Sequence, residues 1–240
     1  MNLHIPAPWR LAMAKSKKKA PAWNFTDADG FRASYALTYG VSQLLRTTAV
    51  QQINFMFGAV IVSGSRMLEL ARAIENFEIL VYQDTKCKKV PSAFDGYYSG
   101  NDDVIYLGFT DLTSMDNRMV LVHECVHAIN DIHGSAGLSQ LDDECAGYVA
   151  CAQYYRHSGN AWPKRAKAAT PLVDAIYDAA FGLADDYLDK VMNPIMGVET
   201  LRAAVLAHPI YAGVDTKKMT YNGLGHSLRS KAFRLLTSFS

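Results

Sequence analysis

A mostly helical α+β fold is what this 240-residue sequence predicts. Three observations carry that expectation. Residues from Phe25 to about Ala73, and again from Thr113 onward, repeat apolar side chains at helical spacing. Between them, residues 77–109 hold short runs rich in Val, Ile, Tyr and Phe, separated by turn residues. Half of the residues are apolar and 20% are charged, enough to bury a core within one domain.

The elements follow in order. Residues 1–22 carry a basic cluster, Lys15 to Lys19, and read as a solvated arm. The apolar stretch Trp9 to Ala14 is short and precedes the lysines, the reverse of a secretory signal. The helical pattern of 23–76 breaks near Gly58 to Gly64, after which Ser65 caps a helix through Ile74 with Met67, Leu68, Leu70 and Ala71 on one side. Phe77 to Tyr82, Phe94 to Tyr98 and Val104 to Phe109 read as strands, with turns at Lys86 to Pro91 and Ser99 to Asp102. Together they make a small sheet of about three strands.

Thr113 or Ser114 starts a helix to about Asp131, closed by His133-Gly134. Ser139 and Asp142 resemble a capping box for a second helix to about His157. Thr170-Pro171 opens a third, with Leu172, Val173, Ile176, Ala180, Leu183, Tyr187 and Leu188 on its apolar side. Glu199 to Ala207 is a fourth, ended by Pro209, and a turn at 222–225 precedes a last basic helix. The expected organisation is one domain over 23–240: a helical lobe at 23–76, a core at 77–157 and C-terminal helices at 158–240.

Composition narrows the function. With 24 basic and 23 acidic residues the net charge is +1, which gives no electrostatic footprint for nucleic acid. No stretch approaches the ~20 apolar residues of a membrane span. The greasiest run, Phe55 to Val62, has eight residues. Four cysteines, Cys87, Cys125, Cys145 and Cys151, form no CxxC pair and read as reduced thiols. The expected location is cytoplasmic.

His123-Glu124-Cys125-Val126-His127 is an HExxH motif inside the first of the late helices. Residues four apart on a helix stack one above the other, so two imidazoles can converge on one ion. Glu124 is turned about 100° from His123 and can reach a water on that ion instead. Chance alone gives the motif odds of roughly one in a hundred in a chain of this length, from average residue usage. Its helical context and the apolar flank Met119 to Val122 favour a buried site. A zinc centre needs a third ligand as well, and the next helix offers Asp142-Asp143-Glu144.

With those residues in place, 77–157 resemble a gluzincin, the zincin clan of metallopeptidases in which a glutamate on the helix after HExxH completes the site. The resemblance implies a zincin-like fold, with the small sheet packed on the HExxH helix. It implies one Zn2+, bound by His123 and His127, with Glu124 as general base. Glu144, followed by a small residue at Gly147, matches the third ligand, and Asp143, followed by Ala146, is its rival. One helix orientation cannot aim both at the same ion. The activity implied is attack of an activated water on a peptide or protein substrate, Glu124 passing the proton to the leaving amine. Tyr148, Tyr154, His133 and His157 are candidate donors to the oxyanion, Tyr148 first. Val104, Ile105 and Tyr106 lie in the strand expected to pair with extended substrate. A metzincin is disfavoured. Cys87, between two lysines, lacks the setting of a deformylase ligand. From another class comes the alternative, a zinc-binding interaction module with slow or no proteolysis.

Overall fold

Four of the α-helices among the described residues begin where a hydroxyl accepts an amide proton that a first helical turn leaves bare. The computed structural model describes residues 24–26, 32–84, 95–109, 111–134, 137–160, 170–189, 195–221 and 223–224. In it Ser34 accepts from the Leu37 amide at the start of α1, Tyr35–Leu45. After the short α2, Thr48–Gln51, Ser63 does the same for α3, Gly64–Glu75. The expected cap, Ser65, lies in the first turn of α3 and only shares a hydrogen bond with Ser63 Oγ. Ser114 caps α4, Met115–Ile132, and Thr170 caps α6, Pro171–Leu188. Helix α5, Gln140–His157, follows Ser139, which makes no side-chain cap. The capping box expected there does not form, because Arg202 binds the Asp142 carboxylate at 2.7 and 2.9 Å. Arg202 belongs to α7, Ile195–Ala207, which begins four residues before the expected Glu199.

Strands differ most from expectation. The 23–76 stretch is not an all-helical lobe: it supplies β1, Asn24–Thr26, and β2, Arg32–Ser34, and then a hairpin of β3, Asn54–Phe57, and β4, Val60–Ser63. Phe55, Phe57, Val60 and Val62 point inward while Met56 and Ile61 face out, a period of two that a short apolar run hides. Gly58 turns the hairpin at a φ of 56°.

The three expected strands are β5, Leu80–Gln83, β6, Gly96–Ser99, and β7, Val104–Leu107. They form the heart of a five-stranded sheet in the order β1-β2-β5-β7-β6, larger than the three strands expected. Phe77 is not in the first of them; it takes a left-handed turn with φ 57°. The turn expected at Lys86–Pro91, the arm at 1–22 and the last basic helix fall outside the described residues.

Helix α4 packs between the sheet and α5, which is why every residue from Leu121 to Asp131 is buried. The main core joins this layer to α1, α3, α6 and α7, while Ala33, Leu80, Tyr82, Val104 and Tyr106 make a second cluster. On α6 the buried positions are Ile176, Ala180, Phe181, Leu183 and Ala184; Leu172 and Leu188, expected on that side, remain 40% and 39% exposed at the two helix ends.

Candidate metal centre

The one-turn spacing of His123 and His127 on α4 brings their ring centroids to 4.9 Å. With Glu124 they form a buried group, each residue 8% exposed, in which one donor atom from each lies within 4.8 Å of the others. Helix α5 delivers two carboxylates to this group, and they go to different nitrogens. Glu144 Oε2 lies 3.3 Å from His123 Nε2 and 3.9 Å from His127 Nε2. Asp143 Oδ2 lies 2.6 Å from His127 Nδ1, on the opposite side of the ring. Both Nε2 atoms therefore face Glu144, and Asp143 sits behind His127.

Close helix packing makes this possible. A Cβ at Gly147 would fall 2.6 to 2.8 Å from three ring atoms of His123. The missing side chain is the space that the imidazole occupies. Gly147→Ala is accordingly expected to lose about 1–3 kcal/mol of stability by overpacking, read from denaturant unfolding. A variant as stable as wild type would mean that α4 and α5 have room to separate.

Asp143 is fully buried and well supplied with donors: Asn130 Nδ2 at 2.6 Å, the Tyr221 hydroxyl and His127. Burial works to raise its carboxyl, but His127, Tyr221 and Asn130 outweigh it and hold the group below the usual carboxylate range. Burial likewise disfavours a charged His127, yet Asp143, Glu144 and Glu124 carry that imidazole up to about 10. An Nδ1–H donated to Asp143 leaves Nε2 as the nitrogen that faces Glu144.

Glu124 is gripped from the sheet. The Tyr98 amide donates to its Oε2 at 2.8 Å, and a Cβ on Gly96 would meet Glu124 Cγ and Val120 Cγ1 at 2.8 Å. Burial is the largest influence on this carboxyl and raises it above its ordinary value, against the nearby histidines. The strand that touches Glu124 is thus β6, at the sheet edge. Val104, Ile105 and Tyr106, the expected substrate strand, belong to β7, which is paired on both sides by β5 and β6 and has no open edge to offer.

Of the expected donors, only Tyr148 is at the site. Its ring meets His123 edge-on at 4.8 Å, and its hydroxyl shares a 2.7 Å hydrogen bond with that of Tyr211. His133 pairs with Glu69 at 3.2 Å, Tyr154 is buried in the core, and His157 ends α5. His208 caps the 3-10 turn Pro209–Tyr211, and burial pushes the Cys125 thiol well up. Sequence reasoning missed Asn130, Tyr211 and Tyr221. Asn130 was within reach, being seven residues, two helical turns, beyond His123. The two tyrosines lie 63 and 78 residues from their partners, in stretches with no motif.

Fold and site define a mostly helical α+β protein with a buried His123–Glu124–His127 group that can hold a metal ion. Among the described residues no helix is long and apolar enough to cross a membrane. No protein-family model, curated protein or solved structure matches the chain.

Proposed function

We propose that the protein is a zinc-dependent hydrolase of the gluzincin type, cleaving peptide bonds. The observation that carries this reading is the convergence of His123 Nε2, His127 Nε2 and Glu144 Oε2, with donor separations of 3.3 and 3.9 Å. Donors at ~2.0–2.2 Å from a tetrahedral zinc stand roughly 3.3 Å apart, so the set fits that ion with little adjustment. Asp143 behind His127 is the outer carboxylate that fixes a ligand histidine's tautomer. Bound there, zinc supplies Lewis acidity and makes a water acidic near neutral pH.

The chain's residues do the rest. Glu124 takes the proton of the attacking water at Oε1, since Oε2 is occupied by the Tyr98 amide, and passes it to the leaving amine. Its raised affinity for a proton suits that intermediate holding role. The Tyr148–Tyr211 hydroxyl pair is the donor assigned to the oxyanion. The test is to incubate zinc-loaded protein with a mixed peptide library and read the products by mass spectrometry. Cleavage that stops on chelation and returns with zinc is expected. An intact library in the presence of one bound zinc would remove the hydrolase reading.

One observation favours a second reading, a zinc-binding interaction module that turns over slowly or not at all. The Tyr98 amide, a donor on the edge strand β6, is already taken by Glu124 and so is closed to an extended peptide. Zinc binding without cleavage in the same experiment supports that alternative.

A further inference from the structure

We infer that the segment 217–221 with Gly223 is a strap that positions His127, and that Tyr221 is its working residue; this rests on the metal-site reading above. The segment is remote in sequence from the HExxH helix, yet it is tied to the connection between α4 and α5 by backbone pairing. Ser139 and Lys218 form an antiparallel bridge, and the Met219 amide donates to Leu138 O at 2.8 Å. Gly137 and Gln140 donate back to Met219 O and Lys217 O at 3.3 and 3.2 Å. Beyond this ladder the Gly223 amide reaches Asp131 Oδ1 at 3.0 Å, at the end of α4.

Between those two anchors stands Tyr221, buried, with its hydroxyl on Asp143 Oδ2. The same oxygen is 2.6 Å from His127 Nδ1, while the other accepts from Asn130. A carboxylate with donors on both oxygens cannot rotate without breaking one of them. Tyr221 therefore holds Asp143, Asp143 holds the imidazole, and the imidazole presents Nε2 toward Glu144. Asn130 reaches Asp143 from the motif's own helix; Tyr221 is the donor that makes the geometry of this centre depend on a distant part of the chain. It is a positioning residue, acting through Asp143 on the metal ligand.

Zinc alone is the probe. Tyr221→Phe keeps the ring and removes only the hydroxyl, and its zinc dissociation constant is expected to rise ~10–100-fold, the usual effect of losing an outer-shell partner. Tyr106→Phe serves as the control: it too removes a tyrosine hydroxyl from an aspartate, Asp102, but within the sheet and away from the metal group. Its zinc affinity should stay at the wild-type value. A merely structural Tyr221 would lower the melting temperature of metal-free protein and leave the affinity untouched, and that pattern overturns the proposal. Equal weakening in both tyrosine variants overturns it too. Wild type that binds no zinc brings down the underlying metal reading and the strap with it. Wild-type affinity in Tyr221→Phe, with binding lost in His127→Ala, sinks the strap alone and leaves the metal site standing.

Discussion

Glu124→Gln is expected to keep its zinc and lose ~10²–10⁴-fold in peptide hydrolysis, the range for removal of a general base. The amide is nearly the same size as the carboxylate, so the tight space under Gly96 and Val120 remains filled. Its oxygen can still accept from the Tyr98 amide. What it cannot do is take a proton from water. Metal analysis and turnover of the same preparation separate the two effects: zinc near one equivalent with activity gone is the expected result. Turnover at the wild-type rate would exclude Glu124 as base, and loss of zinc along with activity would make it a ligand instead.

The second large effect concerns the proposed ligands. His127→Ala should abolish tight zinc binding, because it removes one donor and leaves Asp143 buried without its ring partner. Glu144→Ala should do the same, since its Oε2 is the carboxylate oxygen facing both Nε2 atoms. Asp143→Ala should weaken binding by only ~10–100-fold. Competition titration against a chromophoric chelator gives all three affinities on one scale. The reverse order for the two carboxylates would assign the ligand role to Asp143, against the spacing of the two helices.

Local rules made part of this protein legible in advance. Ser114 and Thr170 announce α4 and α6 because a capping hydroxyl acts within three residues of itself. Gly147 is legible for a related reason, lying one turn from Glu144, so a close approach of helices there can be expected from spacing alone. Where the chain was misread, the signal was ambiguous at short range. Phe55 to Val62 is apolar at nearly every position, and only its packing separates the inward Phe55, Phe57, Val60 and Val62 from the outward Met56 and Ile61. Strands β1 and β2 are three residues each, too short for any period to show. Asp142 looks like half of a capping box until Arg202, 60 residues away, takes its carboxylate.

That one helix carries His123, Glu124 and His127, with its two imidazoles on one side, was legible from spacing alone, since four residues on a helix fix direction without help from the rest of the chain. Spacing also placed the candidate carboxylates, Asp142 to Glu144, at the start of the following helix. Which way α5 is turned, so that Glu144 meets the Nε2 atoms and Asp143 the Nδ1, was settled by how the two helices pack. Tertiary packing likewise decided that β6 and not β7 is the edge beside Glu124, and that Tyr211 and Tyr221 close around the group. The reason is one of range. Helix phase and capping are set by neighbours within a turn, whereas strand order and helix rotation are settled by the burial of whole faces against residues that sequence spacing does not relate.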